Sequence, residues 1–261
     1  MNLAAYAVAD RIATIKFNNP QRMNAWSPEM DADLRAAFAE AGRDDGVRAI
    51  VLTGEGRAFC AGREMGELMK TADGTPMPAA ANPDSASHDL TMLFKIGKPI
   101  IAAINGATAG VGFCYAAYCD FRYVAEEAKV TTAWARRGLS AEFATAWLLP
   151  RLVGVRNALD ILLTGRTMTG AELDRLGFAT AVPGVQLMEK VYEAARDFAE
   201  RCSPRAIRIM KRQVYDSLFF SAMSQALEDA RREGSLAFAS EDAREGIAHF
   251  MEKRAPAFTG R

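Results

Sequence analysis

Residues Lys98 to Asp120 constrain the fold more than any other stretch of this 261-residue chain. An apolar run, Pro99-Ile100-Ile101-Ala102-Ala103-Ile104, leads into Asn105-Gly106-Ala107-Thr108-Ala109-Gly110-Val111-Gly112 and then into Phe113-Cys114-Tyr115-Ala116-Ala117-Tyr118-Cys119-Asp120. That order reads as a buried strand, a glycine turn and a helix. Three glycines within seven positions let backbone approach closely, and the helix opens with amides that have no intrahelical acceptor. Such a terminus suits an anion or a developing negative charge. A second turn of the same character lies upstream, where strand-like Ala49-Ile50-Val51-Leu52-Thr53 runs into Gly54-Glu55-Gly56-Arg57-Ala58-Phe59-Cys60-Ala61-Gly62-Arg63-Glu64. Two amides facing one point from two such turns would form an oxyanion hole.

Elsewhere the first half alternates short strands with helices and the second half is nearly all helix. Tyr6–Ala9 and Ile12–Phe17 predict a hairpin across Asp10-Arg11. Pro28 to Glu40 has helical spacing, with Ser27 as N-cap and Pro28 at the first position. Ala49–Thr53, Ile100–Ile104 and Phe121–Ala125 read as strands. Thr71 to Ser85, rich in Pro, Ala, Gly and Asp and without periodicity, predicts a loop beside the site. From Leu187 onward, Leu187–Arg201, Ala206–Leu218, Ala222–Ser240 and Glu241–Lys253 carry apolar residues at helical spacing.

Lys+Arg and Asp+Glu both count 32, so nothing in the overall charge draws the chain to nucleic acid or a membrane surface. A chain of this length can bury roughly three quarters of its unfolded surface, which favours one domain with a lobe over two independent domains. The start, Met1-Asn2-Leu3-Ala4-Ala5-Tyr6, lacks a basic stretch followed by a long apolar one, so cytoplasm is the expected location. Cys60, Cys114, Cys119 and Cys202 form no Cys-x-x-Cys pair and have no nearby His; four buried reduced thiols are expected, and no metal site.

With both glycine turns in view, the chain resembles the enoyl-CoA hydratase/isomerase (crotonase) family. Phe17-Asn18-Asn19-Pro20-Gln21-Arg22-Met23-Asn24-Ala25 is similar to that family's first turn, and Leu149-Pro150-Arg151-Leu152-Val153-Gly154 to its mid-chain signature. Leu162 to Arg166, Ala171 to Gly177 and the tail Phe258-Thr259-Gly260-Arg261 extend the likeness over almost the whole chain. The resemblance implies an α/β fold, a spiral of ββα units over residues 1–186 followed by a helical lobe over 187–261. It also implies assembly as a homotrimer or a dimer of trimers, and a substrate carried as a coenzyme A thioester with no permanently bound cofactor.

Carried over residue by residue, the family's two oxyanion donors fall on the amides of Arg63 and Val111. The resemblance places the nucleotide across the first turn, at Arg22 and Asn24, and across Ala61-Gly62. Arg22 would meet a phosphate with forked donors, and Lys253 or Arg254 from the last helix would add another cation. The chain departs from the hydratase pattern at both catalytic glutamates, whose positions hold Cys114 and Trp134. Neither side chain can act as a base on water at neutral pH, so two-glutamate hydration is not expected.

One carboxylate stands where relatives place theirs. Glu142 aligns with the catalytic aspartate of dienoyl-CoA isomerases and with the nucleophilic aspartate of 4-chlorobenzoyl-CoA dehalogenase, in which an indole falls at Trp134. The dehalogenase pattern also needs an upstream histidine, and His88 misses that position by one residue. The plainer alternative for Glu142 is an ordinary acid in the first turn of a helix capped by Ser140. Glu64 is a second acid beside the site. A Glu142 that pointed to solvent or paired with a distant arginine would leave Glu64, or no residue, as the better candidate.

Two other classes compete. Gly110-Val111-Gly112, with Tyr115 where a third glycine would sit, is a poor dinucleotide fingerprint. A CoA-binding or oligomeric scaffold without chemistry is the stronger rival, because both hydratase glutamates are missing. The favoured reading is an acyl-CoA enzyme that uses one carboxylate on an enolate, in isomerase-like or hydrolase-like fashion.

Overall fold

The computed structural model describes residues 3–64, 89–220 and 240–261. The expected loop over Thr71–Ser85, His88, and all but the last residue of the helix expected at Ala222–Ser240 lie outside those residues.

β1 (Ala4–Ala9) and β2 (Ile12–Phe17) pair antiparallel across Asp10 and Arg11, whose φ angles of 50° and 63° make the left-handed turn that suits a twisted hairpin. α1 (Pro28–Arg43) follows, with the Ser27 side chain accepting from the Met30 amide, and buries Met30, Leu34, Ala37, Phe38 and Ala41. β3 (Ala49–Gly54), β5 (Ile100–Ile104), β7 (Phe121–Ala125) and β10 (Thr180–Val182) then extend β2 in parallel, giving a six-stranded sheet ordered β1-β2-β3-β5-β7-β10. All residues of β3 and β5 are buried, as covered parallel strands require.

Each of β3, β5 and β7 passes through a short turn into a second sheet: β4 (Ala58–Cys60), β6 (Ala107–Ala109) and β8 (Lys129–Thr131), with β9 (Met168–Thr169) antiparallel to β8. This repeated hand-over is the α/β spiral. It also corrects the reading of Lys98–Asp120 as strand, turn and helix, because Ala107–Ala109 is itself a strand. Its three residues are too few for alternation to reveal, and only pairing with β4 and β8 defines it.

Among the described residues the α-helices after β5 are α3 (Val111–Tyr118), α4 (Thr145–Thr164, kinked at Gly154), α5 (Gly170–Arg175), α6 (Leu187–Arg201), α7 (Pro204–Phe220) and α8 (Glu241–Glu252); a short α2 (Met92–Lys95) precedes β5. α6 opens the expected lobe yet packs on the large sheet, burying Leu187, Val191, Ala195 and Ala199 and bonding Tyr192 Oη to Thr14 Oγ1 at 2.8 Å. α7 is tied down by Lys211, whose Nζ donates to Asp120 Oδ2 at 2.7 Å and to the carbonyls of Leu93 and Lys98. Three thiols, Cys60, Cys114 and Cys119, are buried as expected, whereas Cys202 is only half-buried. No helix among the described residues is long and apolar enough to cross a membrane.

Candidate active site

The site grows from two neighbouring parallel strands. In the β4–β6 pair Cys60 lies opposite Thr108, so Arg63 and Val111, each three residues further on, follow neighbouring strands roughly 4.8 Å apart. Glycine makes the approach possible. A Cβ on Gly112 would lie 2.3 Å from the Cys60 carbonyl oxygen, and one on Gly62, at φ 93°, 3.0 Å from that of Ala109.

The Arg63 amide is aimed by Trp26. Trp26 N donates to Gly62 O at 2.7 Å and Trp26 O accepts from Glu64 N at 3.2 Å, a parallel bridge in which Trp26 uses both its backbone groups. Arg63, the residue between those two partners, directs its own N–H to the opposite side. Val111 begins α3, where the first amides have no helical acceptor. It is fully buried, so whatever meets its amide does so away from bulk water.

Glu142 stands beside these turns. Its Oε1 accepts from Arg63 Nη2 at 3.0 Å and its Oε2 from Trp134 Nε1 at 3.0 Å. The same indole nitrogen lies 3.8 Å from where a Cβ on Gly110 would be, next to Val111. Trp134 is buried, and the Arg63 and Glu142 side chains are 10% and 26% exposed. The arginine is 79 positions away along the chain, yet it is the residue whose amide is itself a candidate donor. Its guanidinium also lies over the Trp26 ring, 4.4 Å from the centroid.

Glu142 is not in the first turn of a helix and Ser140 caps nothing: α4 begins at Thr145 after Ala144. The turn before it is held from α3 by two residues one helical turn apart. Cys114 Sγ reaches Glu142 O at 3.8 Å and Thr145 Oγ1 at 3.3 Å, and Tyr118 Oη donates to Phe143 O at 2.7 Å. Cys114, expected to line the substrate pocket, is thus a fully buried support for the Glu142 turn. Burial pushes its thiol pKa up, and that of Cys60 up to about 12, so neither supplies a thiolate. Ala133, Phe143 and Ala144 hold φ of 58°, 50° and 51° on either side of the Trp134–Glu142 contact. Such backbone costs on the order of 1–3 kcal/mol per residue and persists where the surroundings over-determine it.

The expected nucleotide residues divide. Asn24 is buried and its side chain is spent internally: Nδ2 donates to Glu55 O (2.9 Å) and Ala58 O (2.7 Å), and Oδ1 accepts from Asn19 N (2.8 Å). It staples the first turn to the second and cannot also contact a nucleotide through its amide. Ala61 N is likewise tied to Met23 O at 3.1 Å. Arg22 and Glu64, both predicted, are brought together as an ion pair, with 63% and 34% of their side chains exposed. Lys253 is exposed at the end of α8 and makes no ion pair among the described residues, while Arg254 bridges Glu245 and Glu252. Asn105, which opens the downstream glycine turn in sequence, has a role that the sequence did not assign. Its Oδ1 accepts from Gly54 N at 3.1 Å and its Nδ2 donates to Gly56 O at 2.9 Å, joining the two glycine turns; an asparagine directly before a glycine was the available signal. Among the described residues no group of three or more His, Cys, Asp or Glu could hold a metal ion.

A family model described as enoyl-CoA hydratase/isomerase matches residues 8–261. Over 262 residues the chain is 34% identical to a Bacillus subtilis protein named a probable enoyl-CoA hydratase, with all of both chains covered. It is 31% identical over 252 residues to the 1,2-epoxyphenylacetyl-CoA isomerase of Escherichia coli, covering 96% of this chain and 95% of that one. The crystal structure of a probable enoyl-CoA hydratase/isomerase from Mycobacterium abscessus superposes with a TM-score of 0.91 at 28% identity, covering 99% of each chain.

Proposed function

The chain belongs to the enoyl-CoA hydratase/isomerase family, and from that premise we propose that it binds the oxygen of an acyl-CoA thioester on the amides of Arg63 and Val111 and moves a proton at the resulting enolate with Glu142. The observation that carries this reading is the Glu142 carboxylate, fixed by Arg63 and Trp134 beside the two turns. Removal of a proton from the carbon next to the thioester places an electron pair on the thioester oxygen, where each preorganised amide contributes about 3 kcal/mol. The Glu142 carboxylate takes that proton and returns it to a different carbon, which is a double-bond isomerisation. Arg63 and Trp134 donate to one carboxylate oxygen each, so they set the orientation in which it meets the substrate. The Escherichia coli relative, named as an isomerase, supports this side of the family. Hydration by two glutamates lacks an acid at both of its positions, since burial makes Cys114 a poor acid or base and Trp134 is an indole, and the other acid near the turns, Glu64, is paired with Arg22; each missing group lowers such a rate by about 10²–10⁴-fold.

The coenzyme would cross Arg22 and the Ala61-Gly62 turn, with Arg22 exchanging Glu64 for a phosphate. The homotrimer or dimer of trimers and the cytoplasmic location belong to the same reading, and light scattering tests the first. One observation favours a second reading, a CoA binder without turnover: both Glu142 oxygens are already engaged, as in a purely structural staple. Exchange of the α-protons of butyryl-CoA in deuterium oxide, followed by mass spectrometry, decides between them. Wild-type protein should exchange, and Glu142→Gln should bind CoA normally while losing at least about 10²-fold in exchange rate. Equal rates would remove Glu142 from the chemistry, and CoA binding with no wild-type exchange would leave the silent binder.

A further inference from the structure

We propose that Trp26 is a positioning residue, held by the buried Asp31, that aims both contributions of Arg63 to the site; this rests on the enolate reading above. Trp26 acts on Arg63 in two ways. Its backbone grips the residues on either side of Arg63, at 2.7 Å to Gly62 O and 3.2 Å from Glu64 N, which turns the Arg63 amide toward the site. Its ring lies under the Arg63 guanidinium at 4.4 Å, which leaves Nη2 in the direction of Glu142 Oε1. A guanidinium on a flexible stem has several rotamers of similar energy, and an aromatic face in a dry setting selects the one that lies flat on it.

Asp31 fixes that face. It is 2% exposed, in the first turn of α1, and its Oδ1 accepts from Trp26 Nε1 at 3.3 Å and from Tyr115 Oη at 2.6 Å, while Oδ2 accepts from Arg35 Nε. A buried carboxylate with three donors is satisfied and rigid. Tyr115 belongs to α3, the helix that carries Val111 at its start. One carboxylate therefore ties together the supports of both candidate oxyanion amides and, through the Trp26 ring, the arginine that holds Glu142. A leucine in place of Trp26 would stay apolar and keep the backbone bridge at the cost of a cavity, but it would offer Arg63 no face and Asp31 no donor.

The test uses the full chain with two probes: α-proton exchange of butyryl-CoA, and the ultraviolet enolate band of bound acetoacetyl-CoA. In Trp26→Leu the exchange kcat should fall by about tenfold, the worth of a desolvated cation–π contact, with KM unchanged. Trp26→Phe, which restores a face but not the N–H that Asp31 holds, should recover part of that loss. Asp31→Asn should weaken the enolate band, because an amide cannot accept all three donors. If Trp26→Leu does not fold, Trp26→Met, whose longer flexible side chain fills part of the cavity without a ring, takes its place. Variants that melt earlier but exchange at wild-type kcat per folded molecule would overturn the proposal, as would a rise in KM alone or no recovery in Trp26→Phe. Wild-type protein that neither exchanges protons nor shows the enolate band fails the parent reading, and this inference falls with it.

Discussion

At the scale of single residues, the contact between Arg63 and Glu142 decides how the site is understood. On sequence alone, a Glu142 paired with a distant arginine would have counted against it, because a salt-bridged acid facing away from the turns has no chemistry to do. The arginine it meets is distant only along the chain: it follows β4 in the turn that packs against the one before Val111, so the pair lies beside both candidate turns. The Arg22–Glu64 pair is different. Both side chains reach solvent, where an ion pair contributes little and exchanges readily. Glu64→Gln should therefore release Arg22 and remove a negative charge from beside the coenzyme phosphates. CoA affinity measured by calorimetry should rise by up to about fivefold, while Arg22→Ala should lower it. Affinity unchanged in Arg22→Ala would show that Arg22 does not serve the coenzyme, and affinity that falls in Glu64→Gln would show that Glu64 itself supports binding.

At the scale of elements, the chain after α8 is docked on three carboxylates of that helix: Glu241 meets Thr259 and Arg261, Glu245 meets Arg254 and the Ala257 amide, and Asp242 is the buried one. Asp242 is buried at the start of α8; its oxygens accept from Ser203 Oγ and from the amides of Thr259 (2.8 Å) and Gly260 (3.0 Å). Burial raises its pKa, but the hydrogen bonds from Ser203 and from the Gly260 and Thr259 amides outweigh that, and the net shift is downward. A depressed folded-state pKa means that the stabilisation is complete above the ordinary aspartate value near ~3.9 and is lost as pH falls through the lower folded value. Trypsin sensitivity after Lys253 and Arg254 should be unchanged at neutral pH, and Asp242→Asn should raise it there by loosening the tail, at a cost of about 2 kcal/mol in urea unfolding. An unchanged digestion pattern would show that the tail does not depend on this carboxylate.

At the scale of the whole molecule, repeated turns carry β3, β5 and β7 of the large sheet into the second sheet, so a ligand that bridges the Phe17–Ala25 and Gly54–Glu64 turns should stabilise the entire fold. At CoA concentrations near a hundred times its dissociation constant the gain is about 2.7 kcal/mol, or roughly 5–10 °C in melting temperature. Differential scanning calorimetry with and without CoA reads this directly. The absence of any shift would count against coenzyme binding as such, not only against Glu142.

Much of the scaffold was legible in the sequence because its causes are local. The Asp10-Arg11 hairpin, the Ser27-Pro28 helix start, the apolar strands at Ala49, Ile100 and Phe121 and the helical spacing from Leu187 all follow from neighbours a few positions apart. The two glycine turns announced close backbone approach, and Gly62 and Gly112 make it. What the tertiary structure alone decided is where side chains end. Asn24 is consumed in stapling two turns, Cys114 props the Glu142 turn, Ala107–Ala109 becomes a strand because β4 and β8 flank it, and Glu142 finds Arg63 and Trp134. Each depends on which turns the sheets bring together across long stretches of chain. A hydrogen bond requires its partners within about 3 Å, a condition that local periodicity does not encode.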